Sequence, residues 1–273
     1  MKKYNNLYRA KLTKNDLEGG QRLNQKKKTN PLFTIITVVL NQEKYLEKTI
    51  QSVLSQKVKN YEYIIIDGKS NDNTIKIIKK YSKKIAYWVS QKDNGLYDAF
   101  NKGLKLARGK YIGIINSDDI YTKNALKIYS KYIKEYPEKD FFFGAVKKHW
   151  GVLHGYEPKK IKYSWGFYSS HSTGFVIKNT SSQKIGLYNI TYRYHADYDY
   201  FYRMIVKEKM RGMPTKKKEL VGIFRRGGLS SRVHFRTLFL EEIKIRYNNG
   251  QNLIQILLIV IYKFLKHFKK IIR

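Results

Sequence analysis

The chain has 273 residues, 42% of them hydrophobic and 15% aromatic, enough for a substantial core and too many for a disordered or collagen-like chain. Its 55 Lys and Arg against 21 Asp and Glu leave a formal charge of +34, which draws the surface toward phosphates, anionic lipid or nucleic acid; part of the excess goes with a general abundance of Lys, Asn, Ile and Tyr. The absence of Cys excludes a disulfide scaffold, a Cys-ligated zinc or iron–sulfur site and a thiol nucleophile, and agrees with a reducing compartment.

Residues 1–30 carry nine Lys or Arg against Asp16 and Glu18 with no apolar run, so they are expected to be a basic leading segment without a secretory signal. The folded domain is expected from Pro31. Phe33 to Leu40 is a continuous, β-branched apolar run of the kind that forms a strand buried on both faces. Leu46, Ile50, Val53 and Leu54 then follow helical spacing and predict a helix over 44–56. A second strand is expected over 61–66, ending in Asp67-Gly68, and a helix over 74–81 with Asn71 or Asp72 as its N-cap. A short strand at 85–89, a helix framed by Leu96 and Ala107, a strand at 111–115 and a helix over 123–135 complete the clear pattern. Strands alternating with helices predict right-handed crossovers and an α/β fold with a mostly parallel, doubly wound sheet. Beyond Phe141-Phe142-Phe143 the pattern weakens, apart from a helix near 198–207.

Ligands of such sheets sit outside the carboxyl ends of the strands. There the sequence places Asn41 and Glu43, then Asp67 and Gly68, then Asn116-Ser117-Asp118-Asp119. Two adjacent acids after a buried strand repel one another unless a cation or hydrogen-bond donors compensate them. Oxygen ligands of this kind suit Mg2+ or Mn2+ bridging to a diphosphate, while Ser117 or Asp118 also suits a simple helix cap. Neither a P-loop nor a G-x-G-x-x-G loop follows any strand.

Taken in order, Thr37 to Gln42, Ile66-Asp67-Gly68 with Ser70, Asp72 and Thr74, Asp93 to Gly103, and Asn116 to Asp119 resemble a family 2 glycosyltransferase. Fainter likeness extends to 171–175 and to His195-Ala196-Asp197-Tyr198-Asp199 with Arg203. The resemblance implies a GT-A type fold, a nucleotide-sugar-binding half over 31–136, an acceptor half over 137–210, and a role in making surface polysaccharide such as lipopolysaccharide, capsule or colanic acid. It implies that Thr37, Val38, Leu40, Asn41 and Glu43 bind the nucleotide base, largely through backbone, and that Asp67 contacts base or ribose. Asp98 and Asn101 match the segment lining the donor sugar. Asp118 falls toward the ribose and diphosphate, and Asp119, with Asp118, toward Mn2+ or Mg2+. Asp197 matches the general base, with Asp199 its rival; Ala196 stands where many relatives carry Glu. The donor implied is a nucleotide-diphospho-sugar, with uridine the commonest base, and the acceptor a glycan or polyprenyl-linked sugar.

His171 is a candidate for orienting the acceptor or touching a phosphate, and a structural histidine is the alternative. Arg225 and Arg226 are candidates for holding the donor diphosphate, since guanidinium groups match phosphate oxygens. The segment 211–273 holds fifteen Lys or Arg against Glu219, Glu241 and Glu242, a formal +12. Within it the apolar run 253–265 reaches only about 20 Å as a helix, short of the roughly 30 Å bilayer core. With Gln255, Lys263, Lys266, Lys270 and Arg273 on one side, it is expected either to lie on an anionic membrane surface or to pack on the domain. The expected setting is the cytoplasm, peripheral to the membrane. A nucleic-acid-binding protein and a nucleotidyltransferase are the competing classes. Acids gathered at the strand ends would repel a phosphate backbone, so no nucleic acid is expected as partner.

Overall fold

All seven positions of Phe33–Val39 (β2) are buried, as a strand covered on both faces requires. The structure is a computed structural model that describes residues 4, 7, 9–24, 30–163, 172–225 and 233–272, with side chains as far as 268. Ahead of β2 lies β1 (Leu17–Gly19). After it come α1 (Leu46–Leu54), β3 (Tyr61–Asp67), α2 (Thr74–Tyr81), β4 (Tyr87–Ser90), α3 (Leu96–Leu106) and β5 (Tyr111–Asn116). Then follow β6 (Ile120–Tyr121), α4 (Ala125–Glu135), β7 (Phe141–Phe143), β8 (Ala145–Lys148), β9 (Gly151–Leu153), α5 (Lys160–Tyr163), β10 (Phe175–Lys178) and α6 (Asn179–Ile185). The chain continues through α7 (Ala196–Tyr202), a π-helical turn at Arg203–Lys207, β11 (Gly212–Pro214), β12 (Leu220–Ile223), α8 (Phe235–Asn248) and α9 (Leu253–Ile272).

The main sheet has eight strands in the order β1-β4-β3-β2-β5-β10-β7-β11, and a second sheet runs β6-β12-β8-β9. From β4 to β5 the pairing is parallel, as the alternating pattern requires. The other half is mixed, because β10 runs antiparallel to both of its neighbours. Three- and four-residue strands such as β7, β8 and β9 are too short to show a period, which is why the sequence pattern fades beyond Phe143.

Alternation along β2 divides the core. Phe33, Ile35 and Val39 join Leu46, Ile50 and Val53 of α1 and Leu126 and Tyr129 of α4 on one face. Ile36 and Val38 join Phe100 and Leu104 of α3 and Tyr198 and Tyr202 of α7 on the other. A Cβ at Gly103 would stand 2.5 Å from Ile36, so this glycine lets α3 press onto β2.

The sheet also begins earlier than Pro31: β1 pairs antiparallel with β4. A three-residue edge strand carries no periodic signal, but a buried ion-pair cluster anchors the segment after it. Glu62 accepts from Arg22 Nη2 at 2.6 Å and Arg108 Nη2 at 3.2 Å, and from the Thr34 hydroxyl at 2.5 Å. Arg22 and Glu62 are both nearly inaccessible. Breaking one side of such a pair leaves an uncompensated charge in the interior. Glu62→Ala should therefore lower stability by about 3–5 kcal/mol in urea unfolding, far more than loss of the exposed Lys80–Glu47 pair.

Candidate active site at the carboxyl ends of the parallel strands

Strand register aligns the site. Val39 lies beside Asp67, Asp67 beside Ser90, and Val38 beside Asn116, so the chain leaves β2, β3, β4 and β5 at one level of one edge. The loops after β2 and β3 are then laced together. Asn41 N–H donates to the Ser70 hydroxyl (2.8 Å), Asn71 N–H to Asn41 Oδ1 (2.9 Å), Gln42 N–H to the Thr74 hydroxyl (3.0 Å) and Glu43 N–H to Asp72 Oδ2 (3.1 Å). Glu43 Oε2 accepts from Asn73 N–H at 3.0 Å. Asn41 takes φ 51° and Lys69 φ 73°, the left-handed turns that let both loops double back.

Not every expected donor residue stands open. Thr37 and Val38 lie inside the ladder with buried side chains, and the Tyr63 hydroxyl donates to Thr37 Oγ1, so the open part of this segment starts at Leu40, 52% exposed. Asp67 meets no solvent. Its Oδ2 accepts from Lys69 N–H, Ser70 N–H and the Ser90 hydroxyl, and its Oδ1 from the Ser70 hydroxyl. The contact expected of it with base or ribose is closed in this arrangement, where it shapes the loop instead. Asn101 is buried and clamps the Tyr188 backbone, donating to its carbonyl (2.9 Å) and accepting from its N–H (2.8 Å). Asp98 remains partly exposed, accepting from Asn94 N–H at 3.0 Å.

At the end of β5, Asp119 is fully buried. Its Oδ2 accepts from the Thr173 hydroxyl and its Oδ1 from Arg225 N–H at 3.0 Å, yet burial pushes its pKa up to about 7. Burial also raises the pKa of Asp118, opposed by the charge of Arg225. Asn116 donates from Nδ2 to the Ser172 hydroxyl at 3.0 Å, while its buried Oδ1 has no hydrogen-bond partner. Two carboxylates strained by burial beside an orphaned amide oxygen form an oxygen-only set that suits Mg2+ or Mn2+. The structure thus brings Arg225, expected only as a phosphate contact, directly to the acid pair. Its guanidinium lies over the Tyr45 ring. His171 and Arg226 lie outside the described residues.

Asp197, in the first turn of α7, joins the same edge through α3. The Tyr97 hydroxyl lies 3.1 Å from Asp197 Oδ1 and 2.8 Å from the Tyr194 carbonyl, and Tyr198 N–H donates to the same Asp197 oxygen at 2.8 Å. Burial raises the pKa of Asp197, and the nearby His195 acts against it. Asp199 is different: its oxygens are taken by Arg203 Nε at 2.9 Å and Asn249 Nδ2 at 2.8 Å.

Two residues escaped the sequence reading. Glu241 of α8 accepts three backbone N–H bonds, from Arg193 (2.6 Å), Tyr194 (2.9 Å) and His195 (2.8 Å), and so holds the loop leading into Asp197. Its only signal was being one of three acids in a basic tail. Lys148 places its ammonium 4.5 Å from the Phe224 ring centroid, where burial lowers its pKa and the Asp119 charge opposes that fall.

This α/β architecture with acids at one strand edge is that of nucleotide-sugar transferases of the GT-A type. The sequence profile of Glycosyl transferase family 2 matches residues 34–204, and the chain belongs to that family. It is 29% identical over 192 residues to an uncharacterized glycosyltransferase of Methanocaldococcus jannaschii, covering 65% of this chain and 66% of the relative. To a PGL/p-HBAD biosynthesis glycosyltransferase of Mycobacterium bovis it is 26% identical over 184 residues, covering 62% and 68%. The chain spans 58–66% of the length of its first three curated relatives. Among solved structures, S. aureus TarS 1–349 in complex with UDP-GlcNAc superposes with a TM-score of 0.63 at 17% identity, over 87% of this chain and 72% of that one. The mannosyltransferase PcManGT from Pyrobaculum calidifontis, in complex with GDP-Man and Mn2+, gives 0.62 at 15% identity, over 89% and 71%.

A folded-state pKa raised from 3.8 to about 7 means that Asp119 keeps its proton in the folded chain where the unfolded chain has lost it. Stability without metal therefore falls as pH rises through that window, by up to about 1.4 kcal/mol per unit. In chelator, Asp119→Asn should melt above the wild type near pH 8, with the gap narrowing near pH 5. A gap independent of pH would place Asp119 at an ordinary carboxylate pKa.

Proposed function

We propose that this chain is an inverting glycosyltransferase. It moves a sugar from a nucleotide-diphospho-sugar, with UDP-sugars the first donors to test, to a hydroxyl of a glycan or polyprenyl-linked acceptor. The setting is surface polysaccharide synthesis, lipopolysaccharide or a related polymer, by a peripheral protein at the cytoplasmic face of the membrane. The observation that carries this reading is the acid pair of half-buried Asp118 and fully buried Asp119, with Asn116 Oδ1 unpaired beside it, at the level where four neighbouring strands end. UDP-GlcNAc in one structural relative and GDP-Man with Mn2+ in another support the donor class and the cation.

In this reading Leu40, Asn41 and Glu43 border the donor base on a loop braced by Asp67, and Asp98 lies toward the sugar. Asp118 and Asp119 would hold Mn2+ or Mg2+, which would supply positive charge against the departing diphosphate. Arg225, already beside the pair, adds its cationic side chain at the same place. Asp197 is the general base. The acceptor oxygen bonds to the anomeric carbon from the face opposite the diphosphate, its proton passes to the Asp197 carboxylate, and the bond from that carbon to the diphosphate oxygen breaks. A single displacement of this kind inverts the anomeric centre. A base must be ionised to accept a proton, and burial lifts the pKa of Asp197 nearer the working pH, where proton transfer is better matched. Asp199, bonded to Arg203 and Asn249, is a structural acid here.

Thermal melts with UDP, GDP, CDP and TDP, each with and without Mn2+, test the donor site, since a ligand of the native state alone raises Tm. One nucleotide should give a Mn2+-dependent shift that Asp119→Ala abolishes; absence of any shift would remove the reading. Asp197→Asn should keep that shift and lose transfer by about a hundredfold or more, together with the acid limb of the pH–rate profile. A released product of pyrophosphate, in place of nucleoside diphosphate, would mark a nucleotidyltransferase.

Glu241 is a positioning residue in this scheme. Glu241→Gln sets an amide against N–H groups that need acceptors, so kcat should fall while the nucleotide-induced shift in Tm stays. Equal loss of both would mean a general structural role.

A further inference from the structure

Helix α9 buries one of its lysines and leaves most of its aliphatic residues exposed. Its charged group faces inward: Lys263 is only 5% exposed and its ammonium pairs with Glu242 of α8. Glu242 also pairs with Arg246 at 2.8 Å. Arg246 in turn donates to the Lys162 carbonyl and to Gln251 Oε1, both at 2.9 Å, fastening α8 to the rest of the fold. Ile256 and Ile259 are buried beside Lys263.

At 100° per residue, Leu253, Ile254, Leu257, Leu258, Ile261 and Leu265 occupy about 140° of the opposite side. All six are exposed, Leu257 at 58% and Leu265 at 72%. Phe264 and Phe268 add aromatic surface to the same arc, and no polar residue interrupts it. Contiguous apolar surface of this kind, left in water, marks an interaction site.

We infer that the outward arc of α9 is a membrane-binding face that lies flat in the interfacial region of an anionic bilayer. Charge selects this occupant. The segment 211–273 carries a formal +12, with Lys266 exposed at the side of the arc and Lys269, Lys270 and Arg273 following it in sequence. Anionic headgroups attract such a segment, while a second copy of the chain docked face to face would bring two such charges together. Spanning is not the mode: among the described residues no helix is long and apolar enough to cross a membrane. The Lys263–Glu242–Arg246 cluster keeps the arc outward, because rolling α9 over would strip Glu242 of a partner and drive Lys263 into hydrocarbon. This face deepens the proposed setting at a membrane surface and rests on the transfer chemistry in no way.

The test uses the full chain with phosphatidylcholine vesicles and with vesicles in which phosphatidylglycerol replaces part of that lipid. The wild type should cosediment with the anionic vesicles, less so at high salt, and weakly with phosphatidylcholine alone. The double variant Leu257→Glu, Ile261→Glu alters only exposed positions, so its Tm should stay while anionic-vesicle binding falls by about tenfold or more. Vesicle binding unchanged by that variant would overturn the face. So would a wild-type dimer in light scattering that becomes monomeric in the variant without any vesicle binding, since the occupant would then be a second copy. Nucleotide-induced Tm shifts on the same samples separate the two readings: a protein that binds vesicles and no nucleotide keeps the membrane face and loses the transferase.

Discussion

The level at which the parallel strands end governs this molecule. Asp67 holds that level by accepting four hydrogen bonds, two from backbone N–H groups of its own loop, one from the Ser70 hydroxyl and one from Ser90 at the end of β4. A carboxylate without solvent contact is stable only when its lone pairs are met by donors, so the loop must return over the strand end. Ser70 then supplies the acceptor for Asn41, and the turn after β2 is fastened to the turn after β3. The opposite edge is fastened by the same physics, with Glu62 between Arg22 and Arg108. Two buried carboxylates, one at each end of β3, thus tie the loops to the sheet.

Asp119 shows the contrary case. It also has hydrogen-bond donors, from Thr173, Arg225 and, at 3.5 Å, Asn116, but fewer of them, and burial outweighs them. The difference between Asp67 and Asp119 is one of compensation: a structural carboxylate is fully met by protein donors, whereas this one keeps a deficit that a cation would remove. The same contrast separates Asp199, held by Arg203 and Asn249, from Asp197, whose neighbours are a hydroxyl, a backbone N–H and His195. Unmet charge at the carboxyl edge, rather than the mere presence of acids, is what distinguishes the candidate site.

Much of the site was legible because its residues follow strands whose apolar runs are unmistakable. Asn41, Asp67, Asn116 and Asp119 each stand at the end of such a run, and parallel connectivity brings all of those ends to one edge. Arg225, Thr173, Lys148 and Glu241 were harder. They arrive from short strands, a 3-10 turn and a helix whose place depends on β10, β7 and β12, and strands of three or four residues have no period to read. Glu241 in particular reaches the α7 entry across 46 residues of sequence from His195, a distance over which no local pattern carries information.

The sequence by itself determined the alternation of strands and helices, the parallel core, the family, and the acids at the strand ends, since periodicity and order suffice for these. Its composition also required a basic, apolar tail. Tertiary structure alone decided which acids are compensated and which are left strained, that residues 17–19 extend the sheet, and which way α9 faces. The physical reason is common to all three. Hydropathy assigns a charged residue such as Lys263 to the outside, and only the partner supplied by another element, here Glu242, makes the inside the better place for it.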